Sequence, residues 1–279
     1  MALPLKKRLR RFRMAAQTAL GWGAQGFFTP YRYAASAKPA TGYLEIERAL
    51  KERESAMVQV LDDIERLSES MQRIGHDPAP APRWDQGWFA TLDAAAAYTL
   101  VHRAPPRKII EVGSGHSTRF LARALKDAGA EATHVCIDPQ PRADLLDLPV
   151  TWEKALLSDA HLAMFDDLES GDVAFFDSSH ILWPGLDVDL IFNRILPRLK
   201  PGVLVHIHDV FLPDPYPDSW DWRGYTEQNG LSGWFMGGAY EVVFASHYAT
   251  TRLEAAARIK ALPRHELAID SSFWMVRTP

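Results

Sequence analysis

Lys108-Ile109-Ile110-Glu111-Val112-Gly113-Ser114-Gly115-His116-Ser117-Thr118 is the stretch on which the fold turns. Three β-branched residues in five make Lys108–Val112 a strand, and two glycines then allow a tight turn. A helical pattern follows over Ser117–Ala128. The same punctuation recurs downstream in His134–Asp138, Asp172–Asp177 and Val203–His208. A third strand falls near Val150–Ala155, and a helix from Leu186 to Leu196 separates the two later runs. An alanine-rich helix, Phe89–Val101, leads in, and Tyr240–Phe244 and Phe273–Val276 close the series. Strands alternating with helices build a doubly wound α/β sheet, mostly parallel.

In such sheets ligands bind beyond the carboxyl ends of the strands. Gly113 and Gly115 leave room for a ligand at the backbone, and the helix start offers free N–H groups. A dinucleotide site would place a third glycine three residues after Gly115, where Thr118 stands. The second strand ends in Asp138, 23 residues beyond Gly115. A carboxylate there accepts the two hydroxyls of a ribose that lacks a 2′-phosphate. Glu111, inside the first strand, suits a cationic ligand better than a phosphate. S-adenosylmethionine (SAM) has a ribose, a sulfonium and an ammonium, and no phosphate.

Glu111-Val112-Gly113-Ser114-Gly115 together with Asp138 resembles the class I SAM-dependent methyltransferases. Gly171–His180, Leu196–Val203, His206–Pro213, Trp222–Gln228 and Ser271–Trp274 resemble a bacterial, small-molecule and sugar-type branch of that family. Tyr225-Thr226 stands where that branch more often has Trp-Asn. The resemblance spans roughly residues 85–279. It implies a Rossmann-like sheet of seven strands, behind an N-terminal helical extension, and it implies SAM as cofactor. Carried onto this chain, Glu111, Gly113, Ser114 and Gly115 line the methionine and sugar portions of SAM. Asp177 borders the donor, Asp138 holds the ribose, and Leu157-Ser158 borders the adenine.

Polar residues gather where the fourth and fifth strands end. Asp177 closes the fourth, and His180 follows three residues on; His206, His208 and Asp209 close the fifth. Residues two apart share a strand face, so His206 and His208 point the same way. With the two strands adjacent, as the resemblance implies, Asp177, His180, His208 and Asp209 converge. Two chemistries use such a set. A divalent ion (Mg²⁺ or Mn²⁺) on Asp177, His208 and Asp209 would acidify a substrate oxygen and position it. Without metal, His180 or His208, titrating near neutrality, would serve as general base with Asp177 or Asp209 orienting the ring. The alternative is that these groups cap strand ends, and His206 reads that way. Phe211–Trp222 is a proline- and aromatic-rich loop suited to wall a saccharide or planar acceptor. Its Asp214, Asp218 and Asp221 favour a neutral or cationic one.

The 279 residues carry 31 Lys/Arg and 35 Asp/Glu, a net charge of −4. Residues 1–40 hold eight of the cations and no acid, leaving 23 basic and 35 acidic residues, net −12, in the remainder. An acidic body excludes nucleic acid as its partner. One cysteine, Cys136, excludes a disulfide scaffold, a thiolate zinc site and an iron–sulfur cluster. The expected division is a basic arm (1–42), a long amphipathic helix (43–75), a proline-rich linker (76–87) and the catalytic domain (88–279). The arm is too polar for a secretory core and too short to span a bilayer, so a cytoplasmic chain is expected. Six cations between Lys6 and Arg13, beside Trp22, Phe27 and Phe28, suit the inner membrane surface, unless the arm is solvated or folds onto the acidic body. In the long helix Leu50, Met57, Ile64 and Met71 recur every seven residues, with Val60, Leu67 and Ile74 between. Such a seam pairs with its twin in a homodimer, or lies along its own domain.

The sequence reading is therefore a SAM-dependent methyltransferase acting on a hydroxyl of a small molecule or saccharide. Three rivals stand beside it: a metal-dependent enzyme of the same fold with other chemistry, such as a hydroxylase; a non-catalytic SAM-binding protein; and a membrane-associated scaffold.

Overall fold

The computed structural model describes every residue except 1–3, 24, 28, 30, 39 and 266–268. Phe28 and Pro30 of the arm thus lie outside the described residues. Seven strands form one sheet: β1 (Lys108–Val112), β2 (Thr133–Ile137), β3 (Thr151–Glu153), β4 (Val173–Phe176), β5 (Leu204–Ile207), β6 (Tyr240–Ala245) and β7 (Phe273–Arg277). Their spatial order is β3-β2-β1-β4-β5-β7-β6. The first five are parallel, and β7 runs antiparallel to both β5 and β6. The doubly wound, mostly parallel sheet expected from the sequence is present. Its order reverses between β1 and β4, where the connections leave in opposite directions and open a crevice.

Register decides which side chains meet. Trp152, Cys136, Glu111, Phe175, His206, Trp274 and Phe244 are aligned neighbours across all seven strands. This row faces the layer that holds Phe89 and Ser117, as the Phe89–Phe175 and Phe89–His206 ring contacts and the Ser117–Glu111 bond show.

In chain order the helices that matter here are α1 (Leu5–Ala19), α2 (Leu44–Lys51), α3 (Glu54–Arg66), α4 (Ser68–Gln72), α5 (Thr91–Arg103) and α6 (His116–Asp127). The long helix expected over 43–75 is thus three pieces. Arg53 and Leu67 at the joints leave helical geometry, with ψ near zero. Arg53 turns away from the seam, donates from Nε to the Val242 carbonyl (3.1 Å) and pairs with Glu241 (3.0 Å). Its guanidinium thereby covers backbone on β6, the last strand of the sheet. The seam itself is internal. Leu50, Met57, Val60, Ile64, Met71 and Ile74 are buried in the same apolar core as the sheet. Arg103 of α5 meets Asp63 of α3 at 2.6 Å, and the Tyr248 hydroxyl donates to Glu54 at 2.7 Å. Of the two uses open to the heptad pattern, the structure shows it lying along its own domain.

Candidate active site

The glycine turn is built around one close approach. Gly113 has φ +81°, and a Cβ placed there would stand 1.7 Å from the Asp177 carbonyl oxygen. The Asp177 N–H in turn donates to the Val112 carbonyl at 2.9 Å. The turn after β1 and the end of β4 are therefore in direct backbone contact, which only glycine permits. Gly115 N–H donates to Thr118 Oγ1 (2.9 Å), closing the turn onto the first residues of α6.

Asp138 accepts from the Ser114 N–H (2.6 Å) on one carboxylate oxygen and from the Gln140 N–H (2.7 Å) on the other. Each oxygen keeps a free lone pair, so the acid is held in place yet still able to accept ribose hydroxyls. Three buried polar atoms around this crevice have no protein partner: Ser114 Oγ, Ser178 Oγ and His116 Nδ1. Ser114 follows β1, Ser178 follows β4, and His116 opens α6. Orphaned polar atoms at two strand ends and a helix start fit the polar methionine end of SAM. Burial, with Arg119 and Arg83 adding to it, lowers His116 to about 4, so the ring is neutral at physiological pH.

One expected cofactor contact is corrected. Glu111 does not line the crevice. Strand parity turns it under α6, where its carboxylate accepts from Ser117 Oγ (2.6 Å) and from the Cys136 thiol (3.5 Å) and lies 2.9 Å from His134 Nε2. Ser158 is exposed, with its Oγ and N–H turned onto His161 Nδ1 at 3.1 and 3.0 Å. It caps a short turn after β3.

The acid and histidine cluster does assemble, and it is larger than the sequence indicated. His180 Nε2 lies 3.1 Å from Asp177 and 3.4 Å from Asp209, and its Nδ1 lies 2.9 Å from Glu227. His208 Nε2 lies 3.3 Å from Asp93, and its Nδ1 lies 3.3 Å from Asp209 and 3.7 Å from Asp177. His180 and Asp209 both adopt left-handed backbone (φ +59° and +57°), which turns each side chain back toward the strand ends. That reversal brings Asp209 to the same side as His208, although strand alternation alone would part them. His206 packs flat on Phe175 (3.7 Å between centroids), bonds Ser272 Oγ at 2.9 Å, and is held neutral by burial and the two neighbouring rings. It belongs to the core.

Sequence reasoning missed Asp93 and Glu227. Asp93 is wholly buried in α5 and also accepts the N–H groups of Ser271 and Ser272. A lone acid among alanines in a helix apolar all round was the available signal. Glu227 carried none beyond its place in the resemblance.

The partners also correct the expectation that the histidines titrate near neutrality. Burial alone would lower both rings. Carboxylates on both nitrogens override it: Asp209, Asp177 and Glu227 hold His180 well above its ordinary value, and Asp177, Asp209 and Asp93 do so for His208. Against burial, which raises carboxylates, the two rings hold Asp177 and Asp209 low. The rings are therefore doubly protonated donors.

Nothing in that arrangement singles out a divalent ion on Asp177, His208 and Asp209: His208 Nδ1 faces both carboxylates while Nε2 is taken by Asp93. Nor do those three form a group with all ligand atoms within 4.8 Å. Among the described residues the group that does is Glu111, His134 and Cys136. There burial and the Glu111 charge push the Cys136 thiol up, keeping it protonated in a closed hydrogen-bonded set.

The aromatic loop after β5 forms the mouth. Arg223 lies over the Trp220 ring (4.0 Å) and within 5.3 Å of Trp222 and Tyr225, and Tyr225 sits 4.7 Å from the His180 ring. Arg223 Nε is buried without a partner. Asp214, expected to colour acceptor choice, is spent on Arg252 (2.6 Å) and His247 (2.8 Å).

Residues 110–210 match the family described as Methyltransferase domain. Among solved structures, a Podospora anserina methyltransferase bound to S-adenosylhomocysteine is similar at 15% identity, covering 91% of this chain and 100% of that one, with TM-score 0.42. A branched-chain polyamine synthase variant from Thermus thermophilus is similar at 12% identity over 76% of this chain and 64% of that one (TM-score 0.40). The plantazolicin methyltransferase bound to S-adenosylhomocysteine is similar at 11% identity over 85% and 90% (TM-score 0.35). No curated protein matches the chain.

Proposed function

We propose that the chain, whose residues 110–210 match a methyltransferase domain, uses SAM to methylate a hydroxyl oxygen of a small molecule or saccharide at the Asp177 cluster. The observation that supports this most directly is a difference in access. The Asp177 side chain is 29% exposed, while those of His180 and His208 are 2% and 5% exposed.

Bound SAM supplies a methyl group made electrophilic by a cationic sulfur. Asp138 holds the ribose, and Ser114, Ser178 and His116 satisfy the amino-acid end with their free polar atoms. Asp177, beside the glycine turn, accepts the acceptor's hydroxyl hydrogen. An oxygen that has gained a methyl group carries an acidic proton, so a carboxylate held low by two imidazolium neighbours is base enough to take it. His180 and His208 fix that carboxylate by charge-assisted hydrogen bonds, and Glu227 and Asp93 fix the rings from behind. Arg223, braced by aromatic faces with Nε free, offers a donor to a ring or hydroxyl oxygen of the acceptor.

The test uses the intact chain. SAM is titrated calorimetrically into wild type and Asp138→Ala, and methyl-labelled SAM is then incubated with panels of sugar hydroxyls, catechols and amines. Saturable SAM binding lost in Asp138→Ala, with label in O-methyl products, is expected. Asp177→Asn should lower turnover about 100-fold or more while changing SAM affinity far less. Label confined to amines, or full turnover in Asp177→Asn, would defeat the proposal.

A further inference from the structure

Helix α1 has an apolar face that its own protein leaves unused. Its sequence, LKKRLRRFRMAAQTA, places Leu5, Leu9 and Phe12 at i, i+4 and i+7 on one stripe. The three are 69%, 60% and 74% exposed. At about 100° per residue, Lys7, Met14 and Thr18 fall on the opposite side. Of the four half-buried residues of the helix, Met14, Ala16, Gln17 and Thr18, Met14 and Thr18 lie on that opposite side, where Lys7 Nζ also sits 4.1 Å from the Trp222 ring centroid. The helix is thus attached by its polar back, with its apolar stripe outward. Among the described residues, Lys6, Arg8, Arg10, Arg11 and Arg13 have no acidic partner. Trp22, just beyond the helix, is 76% exposed.

We propose that α1 docks the protein on an anionic lipid bilayer, with Leu5, Leu9 and Phe12 inserted among the acyl boundaries and the surrounding cations on the headgroups. An amphipathic helix rich in Lys/Arg, with large apolar side chains on its other face, has this as its physical solution. Charge complementarity selects the occupant. A second copy laid on the same stripe would bring two rows of unpaired arginines together, whereas an anionic surface neutralises them. Two contacts make the docking more than a tether: Lys7 on Trp222, and Phe27 stacked on Trp183 at 4.6 Å. Trp183 lies three residues after His180, and Trp222 lies five before Glu227. The arm therefore rests on both loops that border the proposed acceptor mouth, and docking holds that mouth beside the bilayer.

The experiment is co-sedimentation of the full chain with vesicles of phosphatidylcholine alone or containing phosphatidylglycerol. Binding to the anionic vesicles only, weakened by salt, is expected. Arg8→Gln/Arg10→Gln/Arg13→Gln should lower partitioning about 100-fold, each cation near such a surface being worth roughly five-fold. Leu9→Glu/Phe12→Glu, on exposed positions that leave the body folded, should abolish it. Absence of binding, or equal binding to neutral vesicles, would overturn the proposal. So would anionic binding that survives Leu9→Glu/Phe12→Glu, which would be charge adsorption alone. A concentration-dependent dimer dispersed by the same pair would instead assign the stripe to a second copy. SAM titration of the same samples reports the methyltransferase reading separately, so either can fail alone.

Discussion

Gly113→Ala strikes the contact that joins the proposed cofactor turn to the proposed catalytic carboxylate. The new Cβ would start 1.7 Å from the Asp177 carbonyl oxygen, and ordinary contact begins at 3.4 Å, so β1 and β4 must separate by a further 1.7 Å at their ends. Two costs add. An alanine at φ +81° costs about 1–2 kcal/mol, and forcing packed backbone apart costs about 1–3 kcal/mol more. The Asp177 N–H to Val112 carbonyl bond, worth about 1 kcal/mol net, is lost with the movement. The sum, roughly 3–6 kcal/mol, is a large part of a typical domain's stability of about 5–15 kcal/mol. Gly129→Ala is the control: φ is +63°, but nothing lies within 4 Å, so only the conformational cost applies. Urea unfolding of both variants, with SAM titration at low denaturant, separates the effects. Gly113→Ala should be at least about 2 kcal/mol worse than Gly129→Ala and should lose SAM affinity. Equal destabilisation of the two would refute the claim that this contact fixes the site.

Two further outcomes follow from burial. His116 protonates near 4 when folded and near 6.5 when unfolded, so the unfolded chain binds more protons between those values. Stability therefore falls as pH drops below 6.5, by about 2 kcal/mol at pH 5, and His116→Gln should remove that part of the slope in urea unfolding at pH 7.5 and pH 5. Met57→Ala, at a fully buried seam position, should cost about 2–5 kcal/mol, against a few tenths for the partly exposed Val58→Ala. If the seam serves its own domain, the Met57→Ala melting temperature is independent of protein concentration.

The strands were legible because each is a short run rich in β-branched or aromatic residues, and β1, β2 and β4 run directly into a glycine or an acid. The glycine turn, Asp138 and four cluster members followed, since a parallel sheet puts ligands at strand ends. What was not legible depends on side-chain direction. Glu111 was placed in the crevice, but the parity that pairs it with Cys136 and Phe175 sends it under α6. Asp93 lies far from the cluster in sequence, and its buried partners Ser271 and Ser272 lie at the opposite end of the chain. The proton state of the histidines was misjudged for the same reason. It depends on which carboxylates arrive from other elements, Glu227 and Asp93 among them. The heptad seam gave six buried residues and the partly buried Leu67, yet not the breaks at Arg53 and Leu67, the first of which falls where Arg53 reaches the β6 backbone.

The left-handed backbone at His180 and Asp209 sets thermal robustness against chemistry. Glycine would relax both positions, and neither position has it. Each of these residues accepts about 1 kcal/mol of strain to aim a titratable side chain at the strand ends. Stability-guided redesign that ignores activity would therefore drift toward glycine or asparagine at 180 and 209, producing a hardier protein with its proposed catalytic centre emptied.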